Sequence, residues 1–521
     1  MSEADLIEKY SPYVLGIDLG TSTSVCSVYR RGRPEIQEVF GQKVIPSVVN
    51  YRSDAEPLIG LQAKRRAMID PDNTVVSIKR DMGNADYSRE IDGNPIKPEE
   101  VSALILEHLK NGAQENEQLS GTLRYAVVTI PANFNNNQRQ ATSEAGRLAG
   151  LEILRLVEEP VAAAIAYGFG RERDQTILVY DLGGGTFDVC ILKVESSASG
   201  SSDFSVLAKA GISQLGGDDF DTALMRILAD SIVADGGPDV LDLKKDQGIN
   251  KKKLRTAVQI LKEKAEEAKI ELSEAEVASI DHPNLVKDEN GNEYHLSTEI
   301  TREAFEAAIK PLVDKSGECI KQALAEAKLD TDDIDRVILV GGSTRTPCIR
   351  TLVTEMIGME PYGDIDPGTA VSQGAAILAA TFELPGEKSE EDIIESGKVA
   401  EVNTTSHYLG IEAQGQKFSS LLDKAAELPC ENTKTYTTTQ DDQPELRITI
   451  FQFPAETEII DMGMDGSACL GELHLGPLEK APKGKLQIDV TFNIDENGLL
   501  KVSAKSTGDE GLSKELEISM T

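Results

Sequence analysis

Up to about Ala380, short β-branched runs such as AVVTI, TILVYDL and RVILVGG alternate with stretches of helical period such as Lys251 to Leu272. That alternation predicts an α/β architecture. The pattern then changes. Residues 384–396, LPGEKSEEDIIES, are acidic and punctuated by Pro and Gly, as expected of an exposed linker. Beyond them, LRITIFQF, KLQIDVTFNIDENGLLKVSAKS and KELEISM alternate apolar and polar positions with turn signals between, which predicts an all-β tail. VTFNID and LLKVSA flank Glu496-Asn497-Gly498, and Asn-Gly tolerates the positive φ of a tight hairpin turn.

One unit of this pattern occurs twice. VLGIDLGTSTSVCSVY and ILVYDLGGGTFDVCILKV each run an apolar strand into Asp-Leu-Gly, a turn of small or hydroxyl residues, and a returning strand. A glycine-rich turn leaves backbone N–H groups free to surround phosphate oxygens, and Thr or Ser adds donors without bulk. Asp18 and Asp181 end the first strands, and Asp188 lies on the second returning strand. Carboxylates cannot face phosphate without repulsion, so a bridging Mg²⁺ with its water shell is expected between them. Two such hairpins predict paired half-sites around one ligand. A third turn, VILVGGSTRTP, offers Gly341 and Gly342 for close approach at a nucleoside end, and Glu266, Lys269 and Ser273 share one helix face that could meet it.

Composition narrows the classes. The chain has 521 residues, 40% apolar and 27% charged, with no membrane-length apolar run. Its opening, MSEADLIEKY, is acidic and lacks a secretory pattern, so a cytoplasmic location is expected. Six cysteines without a Cys-x-x-Cys pair predict neither a disulfide framework nor a zinc site. A net charge of −35 opposes nucleic-acid binding.

IDLGTSTS, VSIKRDMG, AVVTIPANFNNNQRQAT, LVEEPVAAAIAYG, VYDLGGGTFDV, QLGGDDFD, EEAKIELS and VGGSTRTP, in this order and followed by YLGIEAQG, together resemble the heat-shock protein 70 (DnaK-type) chaperones. The resemblance implies an actin-like (ribonuclease H-like, duplicated) ATPase domain over residues 1–383. It also implies a linker over 384–403 and a β-sandwich peptide-binding domain over 404–521. The chain stops where the family begins a helical lid, so a lidless or truncated member is expected. ATP or ADP, Mg²⁺ and K⁺ are the implied cofactors. Asp18, Asp181 and Asp188 would hold the cations, largely through water, while Lys79 and Glu159 position the attacking water. Gly20, Thr21, Ser22, Thr23, Gly183, Gly184, Gly185, Thr186, Gly216 and Gly217 would frame the phosphates. Glu266, Lys269, Ser273, Gly341, Gly342, Ser343, Arg345 and Asp366 would hold the nucleoside.

The resemblance also makes Pro131 and Arg139 switch residues and sets Arg155 at the linker and co-chaperone interface. Ile411, Tyr436, Leu446 and Ile448 match a peptide pocket, and Gln414 and Thr439 replace the Met-like and Ala-like residues that arch over it. An apolar residue in a strand is otherwise simply core. The leucine-rich linker of the family is here Val399, Ala400, Glu401, Val402 and Asn403, where smaller side chains and a glutamate should weaken docking into an apolar groove. Glu158 and Val161 replace the usual Asn and Thr, and Asn133 replaces a tyrosine or similar residue. The expected function is ATP-switched binding of extended apolar segments of unfolded chains, aided by a J-domain partner and a nucleotide-exchange factor. An ATP-binding scaffold with weak coupling is the alternative, and a small-molecule kinase of the same superfamily a more distant one.

Overall fold

The structure, a computed structural model, describes residues 10–517 apart from 54, 172, 198–200, 246–247, 387, 396, 403, 465–466 and 507–512. Asn403 of the linker and the chain ends expected at 1–9 and 518–521 lie outside the described residues.

The two quoted hairpins are the centres of two sheets. β1 (Val14–Leu19) and β2 (Thr23–Arg30) are antiparallel, β3 (Arg33–Ile36) continues antiparallel beside β2, and β4 (Tyr125–Ile130) and β5 (Glu152–Glu158) add in parallel beside β1. The strand path is β5-β4-β1-β2-β3. In the second sheet, β6 (Gln175–Leu182), β7 (Phe187–Ser196) and β8 (Ser202–Ile212) are successively antiparallel, and β9 (Arg336–Val340) is parallel to β6. The path β9-β6-β7-β8 repeats β4-β1-β2-β3 strand for strand. The two sheets differ in what is added: β5 at the parallel end of the first, with the short strand Ile45–Pro46 beside β2, and β10 (Val399–Val402), from the expected linker, beside β8 in the second.

Two helices cross at the seam between the sheets, α2 (Glu159–Gly168) and α5 (Ala370–Ala379). Their small residues allow the approach: Ala162, Ala163, Ala164, Ala375 and Ala376 are wholly buried, and a methyl group at Gly374 would stand 1.7 Å from the Ala162 carbonyl oxygen. Three further helices matter for the site: α1 (Asn136–Leu148), α3 (Gly217–Ala234) and α4 (Lys251–Glu274). α4 buries Leu254, Ala257, Leu261, Ala265, Ala268 and Leu272 at helical spacing, in one cluster with Leu224 and Leu228 of α3. That stripe turns Glu266 and Lys269 toward the cleft between the sheets, where both line the same cavity.

The tail forms two four-stranded sheets around one main core, with Phe418, Phe451 and Phe453 in a second, smaller cluster. β11 (Tyr408–Ala413), β12 (Lys417–Leu422), β14 (Leu446–Phe453) and β15 (Ala468–Leu475) run in the order β12-β11-β14-β15; β13 (Cys430–Thr437), β16 (Gln487–Ile494), β17 (Leu500–Ser506) and β18 (Ser513–Glu517) run β13-β16-β17-β18. Alternation sets which side chains point inward: Ile488, Val490, Phe492 and Ile494 are buried, and Ile411, Ile448 and Val502 join them. β16 and β17 pair antiparallel around the Asn497-Gly498 turn, where Gly498 takes φ +75°. Of the last expected strand, KELEISM, the residues beyond Glu517 lie outside the described residues.

Candidate functional site

The tips of the two repeated hairpins meet face to face. A methyl group at Gly184 would stand 1.9 Å from Ser22 Oγ, so only glycine lets the second turn approach the first. Gly341, at φ +84°, has the same constraint against the Leu182 carbonyl, 2.2 Å from where its Cβ would be. The turns are cross-linked: Gly183 N donates to Thr186 O at 3.1 Å, while Ser343 Oγ and Gly217 N donate to Gly183 O at 2.9 and 3.0 Å. Around them lie two adjoining cavities that share Thr21, Ser22, Thr23, Gly184 and Gly342. The inner one, about 70 Å³, is also lined by Asp18, Gly20, Lys79, Glu159, Asp181, Gly183, Thr186 and Gly341. The outer one, about 370 Å³, is lined by Lys64, Glu266, Lys269, Ser343 and Arg345.

The inner cavity concentrates negative charge. Asp181 and Asp188 face each other across the β6–β7 ladder, and both are buried. Burial first, then the Glu159 charge, raises the Asp18 pKa to about 7 and that of Asp188 to about 8; Asp181 is raised well above its ordinary value for the same leading reasons. Thr129 Oγ1 donates to Asp18 at 3.4 Å and Asn133 Nδ2 to Asp188 at 2.6 Å. Lys79, on a 3₁₀ turn over Ile78–Asp81, is ion-paired with Glu159 at the start of α2, with both side chains buried. Among the described residues, no three carboxylate, thiolate or imidazole groups stand close enough to hold a metal ion directly. The buried Asp181 and Asp188 and the half-buried Asp18, with Lys79 as a partial counter-charge, could hold a divalent cation through its water shell.

Other expected residues are disposed around the outer cavity. Arg345 donates to Asp366 at 2.6 Å on the exposed rim. Lys269 Nζ is held by Asp221 at 2.8 Å and by the Gly217 carbonyl at 3.2 Å, and Asp221, raised by burial and lowered by Lys269, has a pKa of about 6. Ser273 does not line this cavity; its hydroxyl donates back to the Lys269 carbonyl at 3.1 Å. Gly185, Gly216 and Gly217 stand behind the tips: a methyl group at Gly216 would lie 2.5 Å from Gly184 C and one at Gly185 2.6 Å from Thr21 Cγ2. Sequence reasoning missed three contacts across the cleft mouth, Lys64 with Glu266 at 2.7 Å, Ser77 with Asp218, and Arg80 with Asp219 at 2.5 Å. Charged residues on exposed helix faces give no local sign of such long-range pairing.

In the tail, Ile411 and Ile448 are buried in the sandwich core, Leu446 and Tyr436 pack partly buried against it, and Tyr436 hydrogen-bonds Ser419 at 2.8 Å. Gln414 and Thr439 are exposed, and Thr439 N donates to Gln443 at 2.9 Å.

The tail is docked on the two-lobed domain. β10 pairs Val399 to Val402 with Ser202 to Ser205 of β8, and Val399 is buried. Arg155 reaches Glu401 at 3.2 Å and also pairs with Glu496 of the β16–β17 turn. Of the two reasons for expecting a weak linker, smaller side chains and an inserted glutamate, the second is met by Arg155, whose charge offsets that of Glu401. Asn497 Oδ1 accepts from Leu156 N at 2.9 Å, Asn136 Oδ1 accepts from Leu500 N at 2.8 Å, and Lys424 pairs with Glu326 at 3.1 Å. Pro131 ends β4, buried, and Arg139 is buried beneath this interface.

Comparison with known proteins matches residues 14–521 to the family described as "Hsp70 protein". Two "Chaperone protein DnaK" sequences, from Thermotoga petrophila and from a second Thermotoga strain, are each 41% identical over 500 residues, covering 95% of this chain and 78% of the relative.

Proposed function

The chain belongs to the heat-shock protein 70 family and is an ATP-dependent chaperone with ATPase activity, and on that premise we propose which of its residues do the work. The family has an actin-like ATPase domain, which binds ATP or ADP with Mg²⁺, and a β-sandwich domain. We assign the ATPase domain to residues 1–383, in two ribonuclease H-like repeats, the linker to 384–403 and the peptide-binding domain to 404–521.

The facing hairpin tips, the three aspartates gathered beside them and the Lys79–Glu159 pair carry this reading. Thr21, Thr186 and the backbone N–H groups of the tips grip the β- and γ-phosphates, while Glu266, Lys269, Arg345 and Asp366 surround the nucleoside. Asp18, Asp181 and Asp188 would hold Mg²⁺, and K⁺ would share their negative charge. When bound, the dication neutralises charge developing on the transferred phosphoryl group. Lys79 exchanges part of its contact with Glu159 for a γ-phosphate oxygen, which leaves the Glu159 carboxylate to orient the attacking water. Catalysis here is positioning and charge stabilisation rather than covalent chemistry.

The family's clients are unfolded polypeptides, and we assign extended apolar segments to a groove formed by Ile411, Tyr436, Leu446 and Ile448 under Gln414 and Thr439. The paired linker and the docked tail support a coupled machine over an uncoupled scaffold. A J-domain partner near Arg155, a nucleotide-exchange factor and a cytoplasmic setting complete the proposal. Among the described residues, no helix is long and apolar enough to cross a membrane. The test separates binding from turnover: Lys79→Ala should retain ATP within a few-fold while hydrolysis falls about a hundredfold or more. Hydrolysis at the unaltered rate would remove Lys79 from the mechanism.

A further inference from the structure

One residue before Glu159, at the end of β5, the Glu158 side chain is 1% exposed, and its Oε1 accepts from Arg139 Nη2 at 2.9 Å and from Lys209 Nζ at 3.0 Å. The three residues come from α1, β5 and β8, so a single carboxylate joins the two lobes. Each cation also holds a carbonyl at the domain contact. Lys209 reaches Thr404 O at 3.4 Å, just past the linker strand, and Arg139 reaches Asn497 O at 3.2 Å in the β16–β17 turn. Two buried cations share one buried anion, an arrangement that tolerates loss of either cation better than loss of the anion. Asp188 is within electrostatic reach of the pair: the Glu158 charge disfavours its ionised form and the Lys209 charge favours it.

We propose that Glu158 is a positioning residue for interdomain coupling: it neutralises Arg139 and Lys209 in the docked arrangement and so links tail docking to the β5–α2 junction that carries Glu159. This rests on the coupled-ATPase reading above. Arg139 and Lys209 approach the tail's carbonyls only while Glu158 cancels part of their charge. Replacing Glu158 by the isosteric glutamine leaves two buried cations without an anion, a cost relieved by undocking into water. Replacing Lys209 by methionine leaves a balanced Arg139–Glu158 pair.

The order of variants distinguishes charge compensation from a merely structural role. In the full chain with ATP and Mg²⁺, docking is read by energy transfer between fluorophores on the second lobe and on the β domain, and the release rate of a fluorescent apolar peptide is read in parallel. Glu158→Gln should lower the docked-to-undocked ratio about tenfold or more, and Lys209→Met no more than a few-fold. The double variant Glu158→Gln/Lys209→Met should recover much of what Glu158→Gln loses, because one of the two uncompensated cations is gone. A double variant docking no better than Glu158→Gln, or a Glu158→Gln protein docking like the wild type, would overturn the proposal. If Glu158→Gln fails to fold, Lys209→Glu carries the same test: it sets a second anion against Glu158 and should undock where Lys209→Met does not, and equal docking of the two overturns the proposal. A wild type whose peptide release ignores ATP would refute the coupled reading itself, while the docking comparison still decides the part played by Glu158.

Discussion

The two lobe sheets share four strands in the same order and differ in the strands added to them. What is duplicated makes the cleft: each β-hairpin delivers an Asp-Leu-Gly turn, and the two turns close on one another at Gly184 and Ser22. What is not duplicated makes the connection. β5 carries Arg155, Leu156 and Glu158, and β10 is the linker itself; the two meet through Arg155 and Glu401 and also contact the tail. On the proposed reading the repeated hairpins form the ligand site, while the added strands contact the tail. Substitutions at the hairpin tips should abolish chemistry, and substitutions in the added strands should leave chemistry and disconnect it.

The largest effect is expected in the duplicated part. Asp181→Asn removes a carboxylate from the inner cavity and should cut steady-state ATP hydrolysis about a hundredfold or more, measured with nucleotide binding as a control. Next, Gly184→Val forces a side chain into the space of Ser22 Oγ and should weaken ATP binding about a hundredfold by calorimetry, since the hairpin tips must part. In the added strands, Arg155→Ala should keep basal hydrolysis within about twofold, yet reduce ATP-accelerated peptide release about tenfold, because the linker strand and the β16–β17 turn both lose their pairing with Arg155.

A pH prediction follows from the interface. His407 is buried beside Lys209, Lys424 and Arg139, and burial first, then those three charges, lower its pKa from 6.5 to about 4. When docked it binds fewer protons than when free, so its contribution to docking is complete above about pH 6.5 and is lost as the pH falls from there toward 4. Docking measured by energy transfer should weaken by up to about tenfold per pH unit within that window. His407→Leu should abolish this part of the dependence. The smallest effect is Tyr436→Phe, which loses one partly exposed hydrogen bond to Ser419 and should cost the tail about 1 kcal/mol or less in thermal unfolding.

Local signals in the sequence mark the repeated hairpins, because a phosphate-binding turn writes Asp, Gly and hydroxyl residues into a few consecutive positions. The sandwich is equally legible, since strands with one buried face must alternate, as Ile488 to Ile494 do. The α4 stripe is readable from its helical period. The docking is not. Glu158 and Lys209 are 51 residues apart and Asn497 lies 341 beyond Leu156, and neither spacing has a period or motif. Glu401 shows the same limit: alone it signals a weakened linker, and only the fold brings Arg155 to it. Asn497-Gly498 was legible as a turn but silent about its second use, in which the asparagine side chain caps the Leu156 amide.

On the proposed reading the unduplicated strands transmit the nucleotide state to the tail. The most direct test is the dissociation rate of a fluorescent apolar peptide from the full chain, with and without ATP and Mg²⁺ in potassium buffer. ATP should accelerate release many-fold in the wild type and about tenfold less in Arg155→Ala. Peptide that binds the wild type yet leaves at the same rate with and without ATP would contradict it.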